Sequence, residues 1–124
     1  MNLYKGKIIR VIDGDTYEAI INIGFGVKQL FRIRLAGVDT PELKTDKGKK
    51  VKEEISKLLT DKDVIAKEFP KADKFGRALA YIELDGKDIT DLILENDWGK
   101  EYYGGKKIKA MSRQPMILEE IQLA

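Results

Sequence analysis

The sequence contains no histidine and no cysteine. Without histidine, the chain lacks the commonest general base and the commonest ligand of transition metals. Without cysteine, it can form no disulfide, no thiolate nucleophile and no zinc–sulfur site. An enzyme built from this chain must therefore use carboxylate, hydroxyl, lysine or arginine groups. Any metal that it binds should be a hard cation held by oxygen atoms, such as Ca²⁺, Mg²⁺ or Mn²⁺.

Long apolar segments are absent as well. No stretch approaches the roughly 20 apolar residues that span a bilayer, and residues 1–7 alternate polar and apolar side chains, unlike the apolar region of a signal peptide. We therefore expect no membrane partner and a cytoplasmic protein, or a secreted one if a leader has been removed. The net charge of +2, from 23 basic and 21 acidic residues, does not by itself indicate a nucleic-acid binder.

Five apolar runs separated by turn residues indicate a mainly β chain. Their β-branched and aromatic residues alternate with polar ones, which is typical of half-buried strands. The predicted strands cover residues 8–12, 16–23, 27–35, 64–69 and 78–84. Helical spacing of apolar residues predicts α-helices near residues 51–59 and 89–93. The polar, Lys-rich segment 42–50 is predicted to be a loop.

This order of elements predicts an α+β fold. Five strands with a helix between the third and the fourth match a five-stranded OB-fold Greek-key barrel, followed here by C-terminal helices. The 124 residues fit one domain, with 43% hydrophobic residues for its core. We assign residues 1–110 to the barrel domain and residues 111–124 to a C-terminal tail of the same domain, which we expect to be helical.

Three short segments carry residues that could perform chemistry. Each also has a purely structural interpretation, because Asp-Gly before a β-run is an ordinary hairpin turn and a turn arginine can cover apolar surface with its stem. Together they supply carboxylates that can hold a divalent cation and arginines whose planar fork matches phosphate oxygens. The segments are Asp13-Gly14-Asp15-Thr16, the run Arg34 to Glu42 with Val38-Asp39-Thr40-Pro41-Glu42, and Lys74-Phe75-Gly76-Arg77. By contrast, Gly24-Phe25-Gly26 completes no dinucleotide-binding motif, and we assign it no nucleotide-binding role.

The same segments resemble the motifs of the staphylococcal nuclease (thermonuclease) family. Ile12 to Thr16, Arg34 to Glu42 and Asp73 to Tyr81 occur in the family's order with similar spacing, and Asp85-Gly86-Lys87 follows before the second predicted helix. The resemblance extends over roughly residues 7–107. It implies the OB-fold barrel that the order of elements also indicates, and a Ca²⁺-dependent phosphodiesterase.

The resemblance implies a role for each carboxylate. Asp15 and Asp39 would be two ligands of Ca²⁺, and the backbone carbonyl of Thr40 would be a further ligand. Glu42 would act on the nucleophilic water, either as its general base or by orienting it. Asp13 would lie beside the ligands and act on the metal through them.

The resemblance also implies the residues that bind substrate. Arg34 would contact the scissile phosphate, and Arg77 would stabilise the transition state or the leaving group. Lys74 would lie near a nucleotide phosphate, and Tyr103, or the adjacent Tyr102, would stack beside a base. Two departures from the family's founding type are visible: Phe75 replaces a tyrosine that donates a hydrogen bond to phosphate, and the loop after Glu42 is shorter.

The function that the resemblance implies is hydrolysis of DNA, with RNA as a possible further substrate, by attack of water on phosphorus that leaves 3′-phosphate ends. We expect single-stranded substrates, because an OB groove accepts splayed nucleotides more readily than a duplex, and a monomeric protein. The alternative is an inactive OB module that only binds nucleic acid or protein. The presence of all the carboxylates and both arginines favours the enzyme. With no histidine, we expect no imidazole titration of the activity near pH ~6.5.

Overall fold

The structure, a computed structural model, describes residues 2–68 and 77–103. In these ranges the helices are α1 (Asp46–Leu59) and α2 (Ile89–Glu95). Neither is long and apolar enough to cross a membrane. The strands are β1 (Asn2–Asp13), β2 (Thr16–Gly24), β3 (Val27–Leu35), β4 (Gly37–Asp39), β5 (Asp63–Glu68), β6 (Ala78–Leu84), β7 (Lys87–Asp88) and β8 (Lys100–Tyr102).

Five long strands close into a barrel. β1, β2 and β3 form an antiparallel meander, β5 pairs with the free edge of β1, and β6 pairs with β5. A short parallel pairing between β3 and β6, with Leu35 opposite Ala80, joins the two edges of the sheet. Closure removes unpaired edges from the long strands. The predicted mainly β barrel, with a helix between its third and fourth long strands, is confirmed.

The alternation of side chains along β2 and β3 accounts for the interior of the barrel. Successive residues of a strand point to opposite faces of the sheet, so every second side chain faces the core. Ile23, predicted to share the interior face of β2, is instead 41% exposed because it lies beside the turn that joins β2 to β3. The interior residues of these two strands are Tyr17, Ala19, Ile21, Ile33 and Leu35, all of them buried.

Helix α1 begins inside the segment that was predicted to be a loop. Lysine is a good helix former, and the side chain of Thr45 caps the helix by accepting a hydrogen bond from the backbone N–H of Gly48 at 3.0 Å. The loop prediction was therefore wrong from residue 46 onward. The apolar face of the helix is largely confirmed, because Val51, Ile55 and Leu59 are buried.

The ends of the chain differ from the prediction in two ways. β1 starts at Asn2 rather than near residue 8, because its first half pairs with β5 from Asn2 opposite Glu68 to Lys7 opposite Asp63. α2 is confirmed near its predicted position. The predicted helical tail, residues 111–124, lies outside the described residues, as does the end of the assigned domain at residue 110.

Candidate active site

The turn between β1 and β2 carries two carboxylates at one end of the barrel. Asp13 and Thr16 are paired across this turn, which leaves Gly14 and Asp15 as its loop. The Asp13 carboxylate accepts a hydrogen bond from the backbone N–H of Asp15 at 3.1 Å. The buried Tyr17 hydroxyl donates to the Gly14 carbonyl at 2.7 Å, so the turn is held against the core. The segment is therefore a hairpin turn, as its structural interpretation predicts, and the same turn presents the two carboxylates of the functional interpretation.

Thr40 fixes the orientation of the Asp15 side chain. Its backbone N–H and its hydroxyl both donate to Asp15 Oδ2, at 2.9 and 3.1 Å. Asp15 is 7% exposed, so these bonds replace those that water would supply. Gly14 makes the contact possible, because a Cβ atom at that position would lie 2.6 Å from Thr40 Oγ1. The glycine thus serves the approach of two loops as well as the turn.

Arg34 lies buried at the end of β3 between the two candidate metal ligands. Its Nη2 atom is 3.3 Å from Asp39 Oδ1 and 3.6 Å from Asp15 Oδ2. Its Nη1 atom donates to the backbone carbonyls of Leu35 and Val38. Alternation along β3 places Arg32 and Arg34 on the same face of the strand, opposite the core. Arg32 is exposed there, but Arg34 is not. Arg34 is 8% exposed because the chain folds back over it after β3.

The carboxylates of this site influence one another strongly. The pKa of Asp13 is raised to about 6, first by burial and then by the adjacent Asp15, through a shared hydrogen bond and its charge. Burial also opposes ionisation of Asp15, but hydrogen bonding with Asp13, the charge of Arg34 and the bonds from Thr40 outweigh it and lower the pKa of Asp15. Asp39 has a raised pKa, first from burial and then from the charge of Asp15, with a smaller contribution from Glu42.

Glu42 has an exposed carboxylate on a firmly held backbone. Its side chain is 72% exposed and pairs with Lys44 at 3.2 Å. Its carbonyl oxygen accepts hydrogen bonds from the backbone N–H and the hydroxyl of Thr45, at 3.0 and 2.7 Å. Gly48, in the first turn of α1, packs against the same carbonyl, since a Cβ atom there would lie only 2.0 Å from that oxygen. The Glu42 backbone is therefore fixed by α1.

Arg77 reaches the site from the start of β6. Its Nη1 atom donates to Thr16 Oγ1 at 3.3 Å, and the Thr16 hydroxyl donates to Asp15 Oδ1 at 3.3 Å. Thr16 is 2% exposed and so links the second arginine to the Asp13–Asp15 turn in the interior. The parallel pairing of β3 with β6 brings Arg77 next to the end of β3, where Arg34 lies.

The aromatic residues after α2 lie partly over the same site. β8 pairs with β4, which places Tyr102 opposite Gly37. The centroid of the Tyr102 ring is 5.7 Å from Cζ of Arg34, within the range of a cation–π contact. The hydroxyl oxygen of Tyr103 is buried. Lys74 and Phe75 lie outside the described residues, so their predicted places near a phosphate stay predictions.

The donor set suits a hard divalent cation. Asp15 and Asp39 lie on either side of one arginine nitrogen, so two carboxylates face a single positive charge there. A divalent cation would relieve the repulsion between these carboxylates, and oxygen donors match Ca²⁺ or Mg²⁺. Over residues 2–68 and 77–103, no group of three or more acidic side chains forms a metal cluster. The candidate ligands are therefore two carboxylates with the Thr40 carbonyl.

Four positioning residues were not identified from the sequence: Thr16, the side chain of Thr40, Thr45 and Gly48. Except for Thr45, each acts through a contact between segments that lie apart along the chain or through a close approach of backbone. Thr45 alone had a local signal, because a threonine directly before a helical segment is typical of an N-cap. Gly48 had none, since an isolated glycine among lysines fits a loop equally well.

A sequence profile of the family described as staphylococcal nuclease homologue matches residues 32–118. An uncharacterized protein of Methanocaldococcus jannaschii is 32% identical over an alignment of 135 positions, which covers 86% of this chain and 63% of the relative. A Shigella flexneri protein named micrococcal nuclease is 29% identical over 112 residues, which cover 82% of this chain and 61% of that protein. An Escherichia coli O157:H7 protein named uncharacterized endonuclease is 31% identical over 101 residues, with 79% and 62% covered. The chain thus spans less than two thirds of the length of each of these relatives.

Proposed function

The chain belongs to the staphylococcal nuclease homologue family, and from this we propose that it is a Ca²⁺-dependent phosphodiesterase that hydrolyses single-stranded DNA and RNA and leaves 3′-phosphate ends. The observation that carries the proposal is the position of Arg34 between two carboxylates. Asp15 and Asp39 lie 3.6 and 3.3 Å from the same nitrogen of Arg34. A purely structural ion pair needs one carboxylate, whereas a site for a cation and a phosphate needs both signs of charge close together.

The metal would be held by the carboxylates of Asp15 and Asp39 and the carbonyl of Thr40. When bound there, Ca²⁺ supplies Lewis-acid polarisation of a phosphoryl oxygen and a template for the substrate. Thr40 holds the Asp15 side chain in one orientation through two hydrogen bonds. Arg34 keeps the guanidinium plane fixed through its bonds to the Leu35 and Val38 carbonyls, so its charge is oriented before substrate arrives.

The chemical step is an in-line displacement at phosphorus. The oxygen of a water molecule forms a bond to phosphorus while the bond from phosphorus to the 5′ oxygen breaks. The departing 5′ oxygen takes a proton from solvent, which leaves a 3′-phosphate and a 5′-hydroxyl. Glu42 accepts the proton of the attacking water or orients that water, for which its exposed carboxylate is available. Arg34 and Arg77 neutralise the charge that builds on the phosphoryl oxygens.

The proposal is tested with a labelled single-stranded oligonucleotide, cleaved in Ca²⁺ and again with excess chelator. We expect cleavage only in Ca²⁺, with products that shift in mobility after phosphatase treatment because they carry 3′-phosphates. Binding of the oligonucleotide without cleavage, over a range of pH and with Ca²⁺ present, would instead identify an inactive OB module.

The residue assignment has its own matched pair of variants. Glu42 and Glu53 are both exposed glutamates paired with a nearby lysine: Glu42 with Lys44 at 3.2 Å and Glu53 with Lys57 at 3.5 Å. Glu42→Gln should lower kcat by roughly a hundredfold or more, the scale of a lost acid–base group. Glu53→Gln should leave kcat unchanged. Equal activities of the two variants would show that Glu42 has no part in the chemistry.

A further inference from the structure

The far end of the β2–β3 hairpin is apolar and exposed. We call residues 23–27, Ile-Gly-Phe-Gly-Val, the hairpin tip. The Phe25 ring has full solvent exposure, at 109% of the reference value, and Ile23 and Val27 are 41% and 50% exposed. Isolated exposed apolar residues need no explanation, but three within five residues form a small projecting patch.

The backbone of the tip makes phenylalanine an unexpected residue there. Phe25 and Gly26 have φ angles of +54° and +74°, the combination of a type I′ turn, where asparagine, aspartate or glycine is preferred. Every other non-glycine residue with positive φ in the described ranges is an aspartate. A bulky side chain in this conformation is strained, and the ring of Phe25 buries nothing in return. Folding stability therefore does not explain why this position holds phenylalanine.

Lysines lie next to the tip on the outer face of the sheet. Lys5, Lys7 and Lys28 are exposed, and within the part of the chain that the structure describes none of them takes part in an ion pair. They alternate with exposed apolar residues, as in the row in which Lys7 pairs with Ile20 and Ile20 with Leu30. This arrangement combines positive charge with aliphatic surface.

The acidic residues on this face do not cancel that charge. Glu18 binds both Arg10 and Arg32, at 3.0 and 3.1 Å, so one positive charge of this trio is left over. Asp63 lies opposite Lys7 in the register of β1 with β5. The three lysines and the two arginines give five positive charges, against the two negative charges of Glu18 and Asp63. The face is therefore positive, which favours an anionic partner.

We propose that the hairpin tip and the lysines beside it bind the surface of an anionic lipid bilayer. Phe25, Ile23 and Val27 enter the boundary between headgroups and acyl chains, and the lysines contact the lipid phosphates. Aliphatic side chains favour lipid over nucleic acid, because isoleucine, valine and leucine gain little from bases or phosphates. A second copy is disfavoured because the two positive faces would repel each other. This contact is peripheral and needs no spanning segment, so it replaces the expectation of no membrane partner, which rested on the absence of such a segment. It is independent of the proposed nuclease activity.

The test measures co-sedimentation of the full chain with vesicles. One set contains phosphatidylglycerol with phosphatidylcholine, and the other contains phosphatidylcholine alone. We expect binding to the anionic vesicles, little binding to the neutral ones, and loss of binding in high salt. Failure to bind the anionic vesicles at low salt would overturn the proposal.

Variants at the tip separate lipid binding from folding. Phe25→Asn places a favoured residue in the turn, so it should fold at least as well as the parent, yet it should lower the vesicle partition coefficient by roughly tenfold or more. Phe25→Trp should keep binding. Leu58→Gln is the control, since Leu58 is an exposed apolar residue on α1, at 37%. Equal partitioning of Phe25→Asn and the parent would overturn the proposal.

Charge variants complete the test. Lys28→Glu should lower binding to the anionic vesicles by at least about fivefold, the scale of one lysine at such a surface, whereas Lys50→Glu on α1 should not. If Phe25→Asn instead weakens binding of single-stranded DNA, or abolishes a dimer seen by sedimentation velocity, then the tip contacts substrate or a second copy and the lipid proposal is wrong.

Discussion

Glycines at the site end of the barrel lie against other atoms, whereas those at the hairpin tip lie in open space. A Cβ atom at Gly14 or Gly48 would come within 2.6 Å of Thr40 or 2.0 Å of Glu42. At Gly24 and Gly26 a Cβ atom would meet nothing within 4 Å, but both residues have positive φ. The same residue type is required for space at one end and for backbone conformation at the other.

The arginines of β3 show the same contrast between the site and the outer face of the sheet. Arg34 has a side chain that is 10% exposed and contacts two carboxylates and two carbonyls. Arg32, two residues earlier, has a side chain that is 53% exposed and pairs with Glu18. Buried polar groups must keep their partners, while exposed ones exchange them with water. Changes at the site should therefore alter stability and chemistry together, and changes on the outer face should alter neither.

The largest expected effect comes from Arg34→Met. Removing the guanidinium leaves Asp15 buried without its positive partner, so we expect the free energy of unfolding to fall by about 3–5 kcal/mol, with loss of nuclease activity. Arg32→Met, the control on the same strand, should change stability by less than about 1 kcal/mol. Urea denaturation measures both. Similar losses in the two variants would contradict the contrast between the two arginines.

The next effect comes from Gly48→Ala, which forces the Glu42 backbone away from α1. A displacement of the order of 1 Å at a catalytic group can lower the rate by about a hundredfold. We expect kcat to fall on that scale while KM changes little, because the substrate arginines are untouched. Lys50→Ala, in the same helix with no such contact, is the control. A normal kcat with lowered stability would show that Gly48 serves packing alone.

A smaller effect concerns pH and Asp13. Its pKa is raised from 3.8 to about 6, so between these values the folded state holds a proton that the unfolded chain has lost. The free energy of unfolding of the metal-free protein should therefore fall as the pH rises from about 4 to about 6. Asp13→Asn keeps an acceptor for the Asp15 N–H and removes the contribution of Asp13 to this slope, while Asp39 and Asp88, whose pKa values are also raised, keep theirs. Urea titrations in chelator near pH 4.5 and pH 8 measure it, and an identical slope in both proteins would refute the assignment.

The smallest effect is at the tip, where Phe25→Asn should raise the free energy of unfolding by about 0.5–1 kcal/mol through relief of the strained turn. Nuclease activity on a short oligonucleotide without vesicles should not change. Thermal or urea unfolding measures the gain. A loss of stability would show that the Phe25 ring has a packing partner after all.

Local sequence patterns predicted the elements of the barrel better than their ends. The alternation in β2 and β3 defined the interior, because one face of each strand is buried along most of its length. Helix α1 was placed too late because its capping residue, Thr45, lies in a segment whose lysines fit a loop equally well. The first half of β1 was missed because pairing with β5, rather than composition, holds residues 2–7 in the sheet.

The sequence predicted which residues form the candidate site, but not how deeply they are buried or how their pKa values are shifted. Motif order identified Asp15, Asp39 and Arg34, and the structure places these three together. Burial of Arg34 could not be seen in β3, because the residues that cover it follow later in the chain. The pKa of Asp13, about 6, likewise results from burial and from Asp15. A chain without histidine can therefore still carry a group with a pKa of about 6, while the absence of an imidazole titration of the activity stays a prediction.

The contact between Glu42 and the start of α1 also determines how this part of the protein opens. Thr45 bonds the Glu42 carbonyl and caps the helix with the same side chain, so neither can be released alone. Local unfolding of the helix start and displacement of the Glu42 carbonyl should be one event with one free energy. The amide hydrogens of Thr45 and Gly48 then exchange with solvent at rates that report this opening. A bound ligand that fixes Glu42 would slow that exchange in the helix, several residues from any atom it touches.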